Sequence, residues 1–292
     1  MAAAQDQTSD SGSPPPITKF SDLGIIETFS DSERLKTRYT TCYVFKEDDT
    51  AYFGQVFKKK LEIKLGEFAS SLERIPDEEI YPEIPPGAEI TDARKRRGGG
   101  GDEVEGRKNL YVKRPSLTDY EDEAGHEWIR KILLSEALIM ERIFRGGQQH
   151  PNLVRYHGCR VRGNRIAGIV MDQHGMSVND YLREGKKLRG EPKQLVDKVE
   201  SAVRHLHGLG LAHNDVNPNN VMLKEGGGEA EAEEDVPVLI DFGSCQPFGE
   251  RTMQAGTTGW CKDLIFFSEK EHDFYGLEKM RSWLEDEERV YL

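Results

Sequence analysis

The sequence predicts an α+β fold made of two lobes. Short segments rich in β-branched and aromatic residues dominate residues 17–175, and amphipathic segments with helical spacing dominate residues 176–292. No internal repeat is evident, and strands with one helix come before the mainly helical part. This order predicts a small β-rich N-lobe and a helical C-lobe of one fold rather than two independent domains.

Composition argues against several classes of function. The 292 residues include 40 Lys and Arg against 52 Asp and Glu, a formal net charge of −12 that argues against general nucleic-acid binding. No apolar run approaches the roughly 20 residues that span a bilayer, and the N-terminus lacks the basic and apolar regions of a signal peptide. Four widely spaced cysteines favour neither disulfides nor a thiolate zinc site. We therefore expect a cytoplasmic or nuclear protein that does not enter membranes.

The first strands are predicted after a polar tail. Residues 1–16 end in three prolines and hold few apolar side chains, so they are predicted to be disordered. Segments 41–45 and 51–57 flank a polar turn, which predicts a β-hairpin. Residues 59–107 lose periodicity and contain prolines, a basic run and four successive glycines. We interpret them as a long peripheral insertion that buries little apolar surface.

Regular structure is predicted again from residue 110. Residues 110–113 are predicted to form a short strand that ends before Pro115. Apolar residues from Ile129 to Ile143 lie mostly at helical spacing and predict a helix of about 20 residues. The glycines at 146 and 147 are expected to end this helix. The next predicted strands are residues 153–156 and 166–171.

The second lobe is predicted to be mainly helical. Apolar residues from Leu195 to Leu206 recur on one face and mark an amphipathic helix that ends near Gly208. A pair of short strands follows at residues 221–223 and 238–240. The acidic run 225–235 between them is interpreted as a tolerated insertion rather than a docking site for a basic partner.

Two polar motifs beside these strands have residue types that suit phosphoryl transfer. Residues 213–220 have the form H-x-D-x-x-x-x-N, and a D-F-G triplet begins at Asp241, 26 residues beyond Asp215. Phosphoryl transfer from a nucleotide needs one carboxylate to orient the attacking hydroxyl group. It also needs a second carboxylate and a carboxamide to hold Mg²⁺. In this order and beside predicted strands, the motifs are poorly explained as turn residues alone.

The motifs resemble those of the protein kinase family, and the resemblance covers roughly residues 108–285. It implies a two-lobed protein-kinase-like fold whose C-lobe is truncated after its central helix, because the chain ends 19 residues after Asp273. The resemblance also implies ATP and Mg²⁺ as cofactors. Asp215 would be the catalytic base, and Asn220 and Asp241 the metal ligands. Asp273 would support the backbone of the catalytic loop.

The resemblance further implies a nucleotide site. Lys113 would contact the α- and β-phosphates, and Glu136, 23 residues later in the predicted helix, would hold that lysine. The backbone of Asp172 and His174 would bind adenine, with Met171 as gatekeeper. The resemblance also assigns nucleotide contacts to Val56 and Met222. It further implies that four side chains stack on one another as the regulatory spine of the family: Met140, Tyr156, His213 and Phe242.

Several positions depart from the family's pattern. Asp49 and Ala51 stand where a glycine-rich loop ending at Val56 would have glycines, so the hairpin is either a degenerate phosphate loop or unrelated to one. Tyr111 replaces the small residue above adenine, where it either stacks on the base or fills the pocket. Asn217 replaces a lysine of the catalytic loop. It can position a hydroxyl group but cannot neutralise the transferring phosphoryl group.

Other short motifs bear on how the protein is regulated and on which narrower group of proteins it resembles. Asn214 replaces the arginine that reads phosphate on an activation segment, so activation by phosphorylation of that segment is not expected. Residues 256–260, G-T-T-G-W, resemble the run that closes the activation segment in this family. The basic run 94–97 is interpreted as a solvated linker rather than a nuclear-import signal. The strings at 111–115, 150–159, 211–215 and 241–245 resemble more narrowly a group of short kinase-like proteins of filamentous fungi.

Three functions remain open from the sequence. We favour an ATP-dependent protein serine/threonine kinase that phosphorylates hydroxyl groups of a protein substrate, with Asp215 and Asn217 as catalytic residues. The second is a pseudokinase acting as a nucleotide-binding or scaffolding module, favoured by Tyr111, Asn217 and the missing glycines. The third is a small-molecule phosphotransferase, against which the D-F-G triplet argues. The sequence indicates neither the substrate nor the oligomeric state.

Overall fold

The structure covers most of the chain and divides into two compact units. This computed structural model describes residues 12–30, 37–95, 110–145, 149–224, 234–262 and 267–290. The units are Met1–Pro82 with Pro115–Arg130, and Glu83–Arg114 with Lys131–Leu292. The predicted lobe boundary at residue 175 falls inside the second unit, so the units do not coincide with the predicted lobes. The division into lobes stays a prediction, and most of the predicted tail lies outside the described residues.

The first unit is built on an antiparallel sheet. A short 3₁₀ helix at Phe20–Asp22 precedes it. The strands follow one another in the sheet as β1 (Gly24–Ser30), β2 (Thr37–Phe45), β3 (Ala51–Val56) and β4 (Glu73–Arg74). β2 and β3 pair from Phe45 opposite Ala51 to Thr40 opposite Val56, which confirms the predicted hairpin.

Part of the predicted insertion lies in the core of this unit. It forms a 3₁₀ helix at Lys60–Glu62, then α1 (Leu65–Ser71), β4 and α2 (Asp77–Ile80). Its buried side chains include Phe68, Ile75, Ile80 and Tyr81. The prediction that residues 59–107 bury little was therefore wrong for the described residues. Each element contributes only one or two apolar residues, and such short elements produce no periodicity along the sequence. Residues 96–107 lie outside the described part.

The second unit contains another antiparallel sheet. Its strands are β5 (Leu110–Lys113), β6 (Tyr156–Arg162) and β7 (Arg165–Asp172), in the order β5-β7-β6. The predictions for 110–113 and 166–171 are confirmed. The strand predicted at 153–156 was wrong except for its last residue, because Leu153 and the backbone N–H of Val154 pair with Leu239 instead of with β7.

Helix α3 (Glu123–Phe144) confirms the long predicted helix. Its buried residues Leu133, Ala137 and Met140 recur every three or four positions, as a half-buried helix requires. The glycines expected to end it, at 146 and 147, lie outside the described residues. The helix therefore presents one apolar face along its length.

The remaining described helices and strands of the second unit are mostly helical by length. The helices are α4 (Val178–Arg183), α5 (Pro192–Gly208) and α6 (Lys270–Val290). The short strands are β8 (Leu211–Ala212), β9 (Val221–Leu223), β10 (Pro237–Leu239) and β11 (Gln246–Pro247). α5 and the antiparallel pair of β9 and β10 confirm the predictions, and β8 pairs with β11. Most of the acidic run, residues 225–233, lies outside the described residues. In the part of the chain that is described, no helix has the length and apolarity needed to cross a membrane.

Candidate active site

Three charged side chains that are distant in sequence meet in the second unit. Lys113 ends β5, and its Nζ lies 2.7 Å from Oε1 of Glu136 and 2.8 Å from Oδ1 of Asp241. Glu136 lies on α3 with 2% exposure and also accepts a hydrogen bond from the backbone N of Phe242 at 3.3 Å. The ion pair predicted between Lys113 and Glu136 is confirmed. We call these three residues the ionic cluster.

The protonation of the ionic cluster follows from burial and mutual charge. Burial lowers the pKa of Lys113, but the charges of Glu136 and Asp241 outweigh burial and raise the pKa overall. Burial raises the pKa of Glu136, and Lys113 offsets only part of this effect. Burial also acts to raise the pKa of Asp241, but the charge and hydrogen bond of Lys113 hold it below its ordinary value. Asp241 is therefore an anion at neutral pH.

The backbone conformation at Asp241 aims its carboxylate at the lysine. Asp241 lies two residues after β10 and has φ of 62°, in the left-handed region that aspartate tolerates better than most residues. Its Oδ1 also accepts a hydrogen bond from the backbone N of Gly243 at 3.2 Å. The side chain of Asp241 thus closes a tight turn with the backbone of Gly243, the last residue of the D-F-G triplet.

Asp215 is held by neutral donors. Its Oδ1 accepts from the backbone N of Thr257 at 2.7 Å and from Nδ2 of Asn217 at 3.0 Å. Its Oδ2 accepts from Nδ2 of Asn220 at 2.9 Å and from Oγ1 of Thr257 at 3.0 Å. The structure therefore brings together Asp215, Asn217 and Asn220, the three predicted site residues of the catalytic loop. We call these three residues and Thr257 the Asp215 cluster.

Thr257 is the member of this cluster that sequence reasoning missed. The G-T-T-G-W run predicted only the end of the activation segment, and no role was assigned to its first threonine. In the structure Oγ1 of Thr257 donates to Asp215 and accepts from Nδ2 of Asn217 at 3.1 Å. The motif supplied a signal for the segment, but Asp215 and Thr257 are 42 positions apart in the chain, so no local pattern indicated their contact.

Asp273 holds the backbone of the catalytic loop. It is fully buried on α6, and its carboxylate accepts from the backbone N of His213 at 2.9 Å and of Asn214 at 2.7 Å. Nε2 of His207 lies 2.8 Å from the same carboxylate. The structural role predicted for Asp273 is confirmed.

Asn214 joins three segments through one neutral amide. Its Nδ2 donates to the carbonyl oxygens of Ala212 at 3.1 Å and Ser244 at 2.9 Å, and to Oγ of Ser268 at 3.0 Å. Its Oδ1 lies 3.1 Å from Nδ1 of His272. The side chain is 2% exposed. Asn214 therefore links the catalytic loop to the residues after Asp241 and to the start of α6 without any charge.

A cavity of about 330 Å³ lies beside the ionic cluster. Its size falls in the range of small-molecule sites. Lys113 and Asp241 give it a charged wall, whereas Met171, Met222 and Ile240 give it apolar surface. The other lining residues are Tyr111, Val154, Asp172, Gln173 and His174. The cavity lining thus contains the predicted nucleotide residues Lys113, Asp172, His174 and Met222, together with Tyr111, which was predicted to lie above the base.

Val56 belongs to a different sheet from Lys113. β3 pairs with β2 and β4, and among the described strands β5 pairs with β7 alone. The glycine-rich-loop interpretation required β3 to pair with the lysine strand, and that pairing was wrong. The edge of β3 is taken instead by Glu73 and Arg74 of the predicted insertion. The alternative of an unrelated N-terminal hairpin is therefore favoured.

The predicted spine is buried, and two of its members touch. Met140, Tyr156, His213 and Phe242 are each at most 2% exposed. The rings of His213 and Phe242 pack edge to face with centroids 5.3 Å apart. Nε2 of His213 lies 3.0 Å from the carbonyl oxygen of Ile240, which ties the catalytic loop to the residue before Asp241.

The same region matches a known family. Residues 110–272, more than half of the chain, match the protein kinase domain. The chain belongs to the protein kinase family. The strands β1–β4 of the first unit lie outside the matched kinase domain, and so do residues 83–95 of the second unit.

Several curated kinases are similar to this chain. Human serine/threonine-protein kinase/endoribonuclease IRE2 is 30% identical over 128 residues, which cover 41% of this chain and 13% of that protein. Serine/threonine-protein kinase D of Synechocystis is 24% identical over 169 residues, covering 55% and 31%. Serine/threonine-protein kinase PkaA of Streptomyces coelicolor is 34% identical over 122 residues, covering 39% and 21%. The chain spans less than a third of the length of each of these relatives.

Proposed function

We propose that the chain is an ATP- and Mg²⁺-dependent protein kinase that transfers the γ-phosphoryl group to Ser or Thr hydroxyl groups of a protein substrate. The observation that carries this proposal is the ionic cluster on the wall of the 330 Å³ cavity. The similarity to proteins named serine/threonine kinases supports the choice of acceptor. The quoted strings also lead us to infer kinship with short kinase-like proteins of filamentous fungi. The widely spaced cysteines lead us to infer a place in the cytoplasm or nucleus.

The cavity suits an adenine nucleotide in shape and charge. Its apolar wall would receive the base against Met171 and Met222, with backbone groups of Asp172 and His174 as hydrogen-bond partners. Lys113 would contact the phosphates, and Glu136 would keep the ammonium group in place. Because Glu136 is buried and bonded to Lys113, the lysine is oriented before any ligand arrives.

The donor set also suits Mg²⁺. Asp241 and Asn220 offer one carboxylate and one carboxamide oxygen. Such a small set fits an ion that keeps several waters and takes further ligands from phosphates. When bound, Mg²⁺ would neutralise part of the phosphate charge. Asp241 holds its negative charge at neutral pH because of Lys113, which favours this role.

Asp215 is proposed as the base that orients the acceptor hydroxyl group. Four hydrogen bonds fix its carboxylate before any substrate arrives. Asn217 would act as a positioning group, because its amide joins Asp215 to Thr257. It adds no positive charge, so charge stabilisation of the transferring group would fall to Lys113 and the metal ion.

A pseudokinase that binds nucleotide without transferring phosphate is the second candidate. Two observations favour it: Tyr111 lines the cavity, and no glycine-rich hairpin pairs with β5 among the described strands. Glycine-loop backbone N–H groups would otherwise cradle the phosphates. This alternative predicts that the chain binds ATP but transfers no phosphate.

Two measurements on the full chain separate these candidates. The first is the thermal shift produced by ATP with and without Mg²⁺. A ligand at 100 times its Kd stabilises by about 2.7 kcal/mol. The second is phosphate transfer from γ-labelled ATP to a Ser/Thr peptide library, with Asp215→Asn as control. A Mg²⁺-dependent shift with turnover that the control lacks supports the kinase. A shift without turnover supports the pseudokinase that binds nucleotide. The absence of any shift contradicts both of these candidates and leaves a scaffolding module as the remaining alternative.

A further inference from the structure

Residues 83–95, which we call the strap, run along the edge of the β5-β7-β6 sheet within the second unit. The strap begins at the turn between β6 and β7, where the backbone N of Ile84 donates to the carbonyl oxygen of Asn164 at 2.9 Å. Glu83 pairs with Arg165 at 2.6 Å in the same place. The strap precedes the matched kinase domain in the chain. It therefore lies outside the region that matches the family.

The other end of the strap pairs with β6. The backbone N of Cys159 donates to the carbonyl oxygen of Thr91 at 2.7 Å, and the backbone N of Ala93 donates to the carbonyl oxygen of Cys159 at 2.9 Å. Gly158 makes this approach possible. It has φ of +119°, and a Cβ atom there would lie 2.5 Å from the carbonyl oxygen of Thr91. Only glycine leaves room for the strap at this point.

Thr91 binds the carboxylate of a residue on α3. The backbone N of Thr91 donates to Oε1 of Glu141 at 2.6 Å, and Oγ1 donates to Oε2 at 3.0 Å. The hydroxyl group of Tyr156, on β6, donates to Oε1 at 2.6 Å. Hydrogen bonds to a carboxylate are stronger than those between neutral groups. Glu141 is therefore fastened to the sheet edge by three donors from two segments.

Glu141 and Glu136 lie on the same helix, five residues apart. A helix moves as a rigid element over such a distance, so a contact that fixes the rotation of α3 at Glu141 also fixes it at Glu136. Glu136 needs one particular rotation to reach Lys113 at 2.7 Å. The strap and the ionic cluster are thus connected through a single helix.

We propose that the strap holds α3 in the orientation that keeps Glu136 on Lys113, with Thr91 as the positioning residue. The strap thereby sets the catalytic state of the domain from outside the matched region. The catalytic consequence rests on the proposed function, whereas the hold on α3 does not. Without the contacts between Thr91 and Glu141, α3 would be free to rotate, and Lys113 would lose its ion pair with Glu136.

The structural part is tested by hydrogen exchange in the full chain without nucleotide. Thr91→Val keeps the shape and branching of the side chain but removes the hydroxyl group, and Thr91→Ser keeps the hydroxyl group. We expect amide exchange in residues 136–143 of the valine variant to be about 10-fold faster than in wild type, with the serine variant unchanged. Equal exchange in all three proteins would overturn the proposal.

Glu89→Gln is the matched control within the strap. Glu89 pairs with Arg145 at 3.7 Å, but both side chains are more than 70% exposed. An exposed pair of this kind contributes little, so exchange in α3 should not change. Gly158→Ala is the second route to the same result, since its Cβ displaces the strap backbone at Thr91 while the side chains of Thr91 and Glu141 stay unchanged. It should speed exchange in residues 136–143 as Thr91→Val does, and unchanged exchange there would count against the strap.

The kinetic part separates positioning from general stability. If the wild type transfers phosphate, Thr91→Val should lower kcat about 10-fold with little change in the KM for the peptide, and Thr91→Ser should restore it. A loss that serine does not restore would refute positioning by the hydroxyl group. If the wild type transfers no phosphate, the proposed kinase function fails, and the exchange measurement still decides whether the strap holds α3.

Discussion

The ionic cluster and the Asp215 cluster hold their carboxylates in opposite ways. Glu136 and Asp241 share one lysine, and Glu136 is almost fully buried beside it. Asp215 receives four hydrogen bonds, all from neutral groups of Asn217, Asn220 and Thr257. One cluster is therefore bound by charge and the other by directed hydrogen bonds.

The difference shows how one fold prepares carboxylates for two tasks. Lys113 lowers the pKa of Asp241 and so preserves a negative charge that can bind a cation. Neutral donors orient Asp215 without placing a positive charge beside it, which suits the role proposed for it in orienting an acceptor hydroxyl group. An ionic cluster built on a buried carboxylate also depends on its cation, because removing Lys113 leaves the buried Glu136 unpaired. A hydrogen-bonded cluster loses only part of its support with each member.

The largest expected effect is on turnover at Asp215. Asp215→Asn should lower phosphate transfer about 10²–10⁴-fold, because an amide cannot accept the hydroxyl proton. The new NH₂ group would also face donors, which should lower the free energy of unfolding by about 1–3 kcal/mol. Initial rates with γ-labelled ATP and urea unfolding measure the two effects. Turnover equal to wild type would show that Asp215 is not the base.

The next effect is the stability of the ionic cluster. Lys113→Met keeps much of the side-chain volume but leaves Glu136 and Asp241 without their cation, so the free energy of unfolding should fall by about 3–5 kcal/mol. Urea unfolding at pH 7 is the measurement. Lys113→Met combined with Glu136→Gln is the control, and it should recover part of the loss because the buried charge is gone. A loss for Lys113→Met as small as that for an exposed lysine would contradict the interpretation of a buried ionic cluster.

A smaller effect should depend on pH at Asp241. Its pKa is lower in the folded chain than the ordinary value of 3.8, so its contribution to stability is complete above that value and is lost as the pH falls. Wild type should therefore exceed Asp241→Asn in unfolding free energy at about pH 6, and the difference should shrink towards about pH 3. The side chain is 46% exposed, so we expect a difference of only about 1 kcal/mol. A difference that grows on acidification would have the wrong sign.

The smallest effect is expected at Tyr111, a half-exposed residue of the cavity lining. The side chain is 51% exposed, so Tyr111→Ala should change the unfolding free energy by about 0.5 kcal/mol or less. If the ring stacks on the base, ATP affinity should fall by about 0.5–1.5 kcal/mol, measured by calorimetry. Tighter binding by the variant would show instead that the ring fills the pocket and would favour the pseudokinase.

The local elements could be predicted from the sequence, and the motifs of the candidate site could be located in it. The hairpin of β2 and β3, the long helix α3 and the helix α5 were predictable because apolar residues repeat at the period of each element. Asp215, Asn217, Asn220 and Asp241 could be named because their motifs are compact and have few alternative explanations. These are short-range features, and a window of sequence contains all of them.

Which distant segments meet became clear from the folded chain alone. Lys113 and Asp241 are 128 residues apart, and Asp215 and Thr257 are 42 apart, so no local pattern records their contacts. The same reason hid the pairing of β3 with β4, which removed Val56 from the lysine sheet, and the contact of Thr91 with Glu141. Pairing of a strand edge or a buried carboxylate is settled by which partner lowers the free energy most across the whole fold. That competition involves every segment at once, and the sequence near any one residue does not contain its outcome.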